Sequence, residues 1–346
     1  MTCRVLFRAD SGALLGTGHI VRCVALARQF AAQGATVAFV CRDRPGALLS
    51  LPREAGYTLH LLPESIAEPD DAQQTREFAL AWQAGLVVVD HYQLAADWER
   101  VLRQSVPYVL AIDDLADRPH ACDWLLDQND IQPEARRYER WVTAECKLLL
   151  GPGFALLRPE FAMARLKCAP RDGQLRRVLV FFSGSDDSNE TAKALQGLAL
   201  LGPREWQVEV VIGAVHPDSP GIAATCRQHG WNFHQQIDYM ADLLARTDLS
   251  LGSAGSASWE RCALGVPALV VQLADNQREV IAALAQRGCA KVLGEASRVQ
   301  PHDYAAALSA LSADELAAMS RAAWEWVDGQ GAWRVVQDVL ETISEP

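Results

Sequence analysis

Apolar and polar positions along the chain follow two rhythms. Arg4 to Asp10 is short and rich in β-formers, Ser11 to Gly18 is turn-prone, and Ile20 to Gln33 carries apolar residues at helical spacing, which predicts a strand, a glycine loop and a helix. Thr36 to Cys41 repeats the strand signal. Gly85 to Asp90 and Tyr108 to Asp114 are continuous apolar runs that end in carboxylates. Such runs, set helix-lengths apart, belong to parallel sheets covered on both faces. After Arg158-Pro159-Glu160-Phe161 and the polar stretch Pro170 to Arg177 the pattern starts again: Val178 to Phe182 leads into Ser183-Gly184-Ser185-Asp186 and a helix. Trp206 to Gly213 and Asp248 to Gly252 continue it, the latter running into the small-residue loop Gly252 to Ser256, a helix from Ser258, and the strand Ala268 to Val271. The pattern predicts an α/β protein of two doubly wound parallel-sheet domains, residues 1–165 and 166–346, facing each other across a cleft. Ala313 to Ile343, broken at Asp328 to Gly331, reads as helices closing the second domain.

Composition narrows the class. The 346 residues are 50% hydrophobic and 22% charged, the proportions of a globular protein. No apolar run approaches the roughly 18 residues that cross a bilayer, and Met1 to Asp10 passes into a strand-like segment without a signal peptide's apolar core, so a cytoplasmic location is expected. A net charge of -11 without a basic stripe argues against nucleic acid or an anionic membrane as partner. Nine cysteines, scattered singly with no C-x-x-C pair, read as small buried hydrophobes in a reducing compartment.

Candidate chemistry gathers at the loops. Gly16-Thr17-Gly18-His19 lies where the first strand passes into the first helix, and position 21 is valine, so the third small residue of a dinucleotide fingerprint is missing. The loop offers instead an imidazole at a helix start, where the dipole disfavours protonation. His19 is a general base or a turn-capping histidine; Arg22, one turn on, is an anion contact or a surface arginine. Ser253 to Glu260 presents helix-start amides and hydroxyls suited to a diphosphate without metal, with Glu260 able to accept from a ribose diol; simple N-capping by Ser256 or Ser258 is the alternative. Ser183 to Asp186 is a weaker phosphate or sugar candidate, and Asn276-Gln277, after the strand Ala268 to Gln272, offers amides for sugar hydroxyls or acetamido groups. Asp90-His91-Tyr92 is a strand-end cap or a set of groups directed at the cleft. Asp113, Asp114 and Asp117 read as solvated caps rather than a metal site.

Taken in order, Arg8-Ala9-Asp10, Gly16 to Cys23, Asp90-His91-Tyr92, Asp113-Asp114, Gly153 to Phe161, Ser183 to Asp186, and Ser253 to Ser256 through Trp259 to Cys262 and on to Asn276-Gln277 resemble the UDP-sugar hydrolases of pseudaminic acid biosynthesis. That family is similar in fold to the two-domain GT-B glycosyltransferases. The resemblance spans nearly the whole chain. It implies UDP on the C-terminal domain, the sugar toward the N-terminal one, water attacking the anomeric carbon with inversion, and His19 in the place of the essential histidine. Tyr92 and Asn276 match residues lining the sugar, and Glu260 matches the carboxylate that reads the ribose in the related transferases. The chain departs from the pattern in having Ser253-Ala254-Gly255-Ser256-Ala257-Ser258 where relatives often carry a second glycine or a threonine, and Ser183-Gly184 where many carry Gly-Gly.

The expected site is thus His19 as catalytic base, with Asp10, Gly16, Gly18, Arg22, Tyr92, Ser185, Ser253, Gly255, Ser256, Ser258, Glu260, Asn276 and Gln277 as substrate contacts. The expected partner is a small-molecule UDP-sugar. No cofactor or metal is called for, and a monomer is compatible with the sequence. Two rivals use the same loops: a glycosyltransferase passing the sugar to a hydroxyl acceptor, and a nucleotide-sugar binding module without turnover.

Overall fold

The computed structural model describes residues 3–12, 16–130 and 134–344. It divides into two compact units, one of residues up to Pro159 together with those from Gln330 onward, the other Glu160–Gly329.

The first unit holds seven parallel strands: β1 (Arg4–Ala9), β2 (Thr36–Arg42), β3 (Thr58–Leu62), β4 (Leu86–Asp90), β5 (Tyr108–Ile112), β6 (Trp124–Asp127) and β7 (Lys147–Leu150). They lie in the order β3-β2-β1-β4-β5-β6-β7, with Phe7 opposite Phe39 on one side and Val88 on the other. The strand interiors are mostly apolar because both faces are covered. Val5, Phe7 and Ala9 enter one core with the helix Gly18–Ala32, while Leu6, Val87 and Val89 enter a second core on the opposite face. In the other unit β8 (Arg177–Phe181), β9 (Gln207–Ile212), β10 (Asn232–Gln235), β11 (Leu249–Ser253), β12 (Ala268–Gln272) and β13 (Ala290–Glu295) form a parallel sheet in the order β10-β9-β8-β11-β12-β13. Val178, Val180, Val210, Leu251 and Leu269 carry its core. Two doubly wound α/β domains are what the periodicity predicts.

The domain limits differ from the expectation at both ends. The break falls at Pro159/Glu160 rather than 165/166, and the chain's last helix, Gly331–Ser344, belongs to the first unit. Ala332, Val335, Val336 and Val339 pack into the core beneath the helix Gly18–Ala32. Asp338 accepts from Trp124 Nε1 at 2.9 Å and pairs with Lys147, while Arg334 donates to the Gly153 carbonyl at 2.7 Å. An amphipathic stripe records that a helix is half-buried without recording against which sheet.

In each sheet the strand order reverses direction beside the unit's first strand, between β1 and β4 and between β8 and β11. Open α/β sheets bind ligands at the carboxyl ends of the strands flanking such a switch.

Candidate active site

In the first unit the loop after β1 returns on itself, the Gly16 amide donating to the Gly12 carbonyl at 2.9 Å; residues 13–15 of the turn-prone stretch lie outside the described residues. Gly16 has φ +74°, a conformation that favours glycine. A Cβ added at Gly16 or Gly18 would meet no atom within 4 Å, so both exposed glycines border open space.

His19 is the second residue of the helix Gly18–Ala32, and its imidazole is buried. Asp90, the last residue of β4, sits beside it because Ala9 and Asp90 are register partners on neighbouring strands. His19 Nδ1 lies 2.6 Å from Asp90 Oδ1. Arg22, one helical turn on, grips the same carboxylate twice, Nε to Oδ2 at 2.6 Å and Nη2 to Oδ1 at 2.7 Å, and reaches Asp114 Oδ2 at 3.1 Å through Nη1. Burial alone would raise the Asp90 carboxyl's pKa, but the Arg22 guanidinium and His19 outweigh it and hold it well below the usual carboxylate range. An ionised carboxylate only accepts, so Nδ1 carries a ring proton, and in the neutral imidazole Nε2 is the atom with the lone pair. Tyr92 meets the imidazole edge-on, ring centroids 4.5 Å apart, and burial with Asp114 nearby pushes its phenol up to about 12. At neutral pH the Tyr92 hydroxyl is therefore a donor.

Two expected substrate contacts are corrected here. Arg22 is neither an open anion contact nor a surface residue: it is buried and committed to Asp90 and Asp114. Asp10 is 1% exposed, bonded by Arg8 at 2.6 Å and by the Arg42 amide at 2.8 Å, with His91 Nε2 at 3.2 Å. Burial opposes its ionisation, and these donors overcome that and hold its carboxyl well below the usual range. Arg8 and Arg42 also bind Asp71, making Asp10 part of a buried ionic network. His91 faces that network while Asp90 and Tyr92 face His19, so the three consecutive strand-end residues divide between two tasks. Asp113 is met by Arg118 and the Ala116 amide, both at 2.8 Å, and Asp117 lies 2.9 Å from Arg118. Among the described residues no group of three or more His, Cys, Asp or Glu is placed to hold a metal ion.

In the second unit β11 runs through Gly252 and Ser253 into the helix Ser256–Ala263. A Cβ at Gly252 would lie 2.4 Å from the Phe181 carbonyl, which fixes glycine there by close strand approach. Ser253 is buried and donates to the Phe182 carbonyl; Ser258 is buried, accepting from the Gly255 amide at 3.3 Å and from Arg261 Nη2 at 3.0 Å. Both hydroxyls are thus engaged inside the unit. Ser256 is exposed, Gly255 and Glu260 are half-buried, and a Cβ at Gly255 would meet nothing within 4 Å. Ser256 and Ala257 offer the main chain at the start of the helix, where amides lack intrahelical acceptors, while the Gly255 amide is taken by Ser258 Oγ. Beneath them Arg261, 3% exposed, donates to the Ser253 carbonyl at 2.7 Å. Burial lowers its guanidinium to about 10, so it stays charged at neutral pH under a loop suited to an anion.

The neighbouring loop after β8 carries Ser185, half-buried, and Asp186, which caps the helix Glu190–Leu200 by accepting from the Glu190 and Thr191 amides at 3.0 and 2.8 Å. After β12, Asn276 is exposed, whereas Gln277 turns its carbonyl onto the Leu273 amide at 2.9 Å. The first unit thus brings together His19 and Tyr92 beside the open Gly16 and Gly18. The second brings Gly255 and Ser256 to one helix start, with Ser253 and Ser258 supporting them from inside.

Two partnerships are not read from the sequence. Asp90 stands there as a strand-end residue with no link to His19; the signal that joins them is that β1 and β4 flank the switch in a doubly wound sheet. Arg261 follows Ser258 at i+3, which puts both on one helix face.

No family model matches the chain. It is 26% identical, over 289 residues covering 82% of this chain and 97% of that protein, to the UDP-2,4-diacetamido-2,4,6-trideoxy-beta-L-altropyranose hydrolase of Campylobacter jejuni. An uncharacterised protein of Methanocaldococcus jannaschii is 21% identical over 80% of this chain and 57% of that protein. Among solved structures, MurG of Acinetobacter baumannii superposes with a TM-score of 0.69 at 16% identity, covering 99% of this chain and all of that one. The calicheamicin glycosyltransferase CalG4 gives 0.65 at 15% identity, with full coverage of both chains. The fold is that of the GT-B glycosyltransferases.

Proposed function

We propose that the protein hydrolyses a UDP-linked diacetamido-trideoxy sugar, water attacking the anomeric carbon with inversion and release of UDP, as a step of pseudaminic acid biosynthesis. The likeness to the Campylobacter jejuni hydrolase over 82% of the chain supports the substrate class. The observation that carries the chemistry is the His19–Asp90 contact at 2.6 Å, which leaves Nε2 as the acceptor for a proton from water.

In this reading the sugar belongs to the first unit and UDP to the second. His19 deprotonates water as its oxygen bonds to the anomeric carbon; the bond from that carbon to the diphosphate oxygen breaks, and the electron pair leaves on UDP. Asp90 stabilises the imidazolium that forms, and Tyr92 donates to a substrate oxygen. The diphosphate is held by the amides of Ser256 and Ala257 and by Arg261 beneath them, with Ser185 and Asn276 as polar contacts and Glu260 on the ribose. UDP is a good leaving group, so less acid assistance is needed than for an alkyl glycoside.

The test is turnover in heavy-oxygen water with no acceptor present and with excess chelator. Label is expected in the free sugar, with UDP unlabelled and the rate unaffected by the chelator. Label in UDP would mean attack at phosphorus and end the proposal, and UDP release that requires an added hydroxyl acceptor would make the protein a transferase.

A further inference from the structure

Away from the carboxyl-end loops, at the amino ends of β6 and β7, two thiols stand together. Cys122 Sγ and Cys146 Sγ are 3.7 Å apart. Cys122 precedes β6 and is 5% exposed; Cys146 immediately precedes β7 and is only partly covered. Their backbones are fixed. Trp124 and Lys147 are register partners, the Lys147 amide donates to the Asp123 carbonyl at 2.8 Å, and the Asp123 carboxylate is held by Arg103 at 2.6 and 2.8 Å and by the Val109 amide at 2.7 Å.

We infer that Cys122 and Cys146 form a dithiol modification site that hydroperoxides convert to an intramolecular disulfide. The sulfurs must come about 1.6 Å closer to reach a bond of about 2.05 Å, a shift that side-chain rotation supplies. Cys146, the accessible sulfur, attacks first: its thiolate forms an S–O bond, the peroxide O–O bond breaks, and water or an alcohol leaves. Cys122 then attacks the Cys146 sulfur, the S–S bond forms, the S–O bond breaks, and water leaves with the Cys122 proton. The two thiols supply the two electrons that reduce the peroxide. This order fits the surroundings, since the hydrogen bond to Cys146 and burial push the Cys122 thiol well above its usual value, leaving it a poor first nucleophile, while its place 3.7 Å from Cys146 Sγ makes it the resolving one.

The second unit supplies an internal control. Cys262 and Cys289 are also hydrogen-bonded neighbours, but both are 2% exposed and closed to an oxidant. Proximity alone would oxidise both pairs; proximity with access selects Cys122 and Cys146.

The experiment treats the full-length protein with stoichiometric hydrogen peroxide, alkylates the remaining thiols and maps them by peptide mass spectrometry. Two of the nine thiols should disappear as one Cys122–Cys146 linked peptide and return with dithiothreitol. Cys146→Ser should leave Cys122 a free thiol at the same dose, and Cys122→Ser should halt Cys146 at a sulfenic acid that dimedone traps. Unchanged thiols, a Cys146 adduct with Cys122 still free in the native protein, or linkage of Cys262 to Cys289 at the same dose would each overturn the assignment. Mapping of the native protein decides the matter even if the buried Cys122 variant fails to fold.

Discussion

The strand-to-helix junctions after β1 and after β11 lie on opposite sides of the switch points in their two sheets, and they handle charge in opposite ways. After β1, Arg22 is bound to two carboxylates, and the ion pair it makes with Asp90 holds an imidazole by one nitrogen. After β11, Arg261 donates to a carbonyl and a hydroxyl, both neutral acceptors, with the adjacent Glu260 attracting its charge. A cancelled cation orients a neighbouring group and attracts little. A cation hydrogen-bonded to neutral acceptors at a helix start is suited to an arriving anion. In the proposed reaction the first junction transfers the proton and the second binds the anion, and substitutions at each should separate the two tasks.

The largest effect is expected at the first junction. His19→Asn should lower kcat by about 10²- to 10⁴-fold, the usual worth of a general base, while UDP affinity measured by calorimetry stays as it was. Loss of UDP binding along with turnover would break the division of labour. Asp90→Asn should also lower kcat, since an amide does not fix the ring proton on Nδ1, and it should destabilise the fold by about 3 to 5 kcal/mol because Arg22 loses its main partner. The pH dependence follows from the direction of the Asp90 shift. Its carboxyl is lowered on folding, so its contribution is complete above the unfolded value of about 3.9 and is lost as pH falls below it. Thermal melts of the Asn variant should accordingly fall less steeply with acid than those of the native protein.

At the second junction Arg261→Met should weaken UDP binding on the order of tenfold, the scale of removing one partly screened charge, and leave the proton-transfer step on bound substrate unchanged. Single-turnover rates at saturating substrate check this against equilibrium titration with UDP. A fall in the chemical step equal to the fall in affinity would show that the second junction does more than hold an anion.

The fold was largely legible because parallel strands covered on both faces must be apolar throughout, and the runs at Leu86 to Val89 and Val178 to Phe182 say so directly. That His19 and the serine loop stand at helix starts was legible because glycines and small residues after an apolar run mark a strand-to-helix turn. What stayed hidden was partnership across the sequence. Asp90 is 71 residues from His19, and only strand order brings them together. Asp10 looked like a strand-end ligand because its partners Arg42 and His91 are residues whose proximity the pattern does not encode. Ser253 and Ser258 read as ligand hydroxyls, and their inward direction depends on Phe182 and Arg261, one of them 71 residues away. The last helix shows an apolar stripe that fits either sheet.

The smallest expected effect concerns stability at a third strand end. Asp127 closes β6, accepting from Tyr138 at 2.9 Å and from the Asn129 amide at 3.0 Å, with Arg137 Nε at 3.5 Å. Burial dominates these interactions and raises its carboxyl to about 7, the opposite of Asp90, where the Arg22 guanidinium grips both oxygens at 2.6 and 2.7 Å. With a folded value above the unfolded one, the folded state holds the extra proton, so the contribution is full below about pH 4 and is lost as pH rises toward 7. Asp127→Asn keeps an oxygen for Tyr138 and cannot ionise. Its melting temperature should therefore exceed that of the native protein by a few degrees at pH 8, with the gap closing by pH 5. A gap independent of pH would mean that Asp127, like Asp90, is ionised in the fold, and that the arginine at 3.5 Å compensates its charge as fully as the two-point grip on Asp90 does.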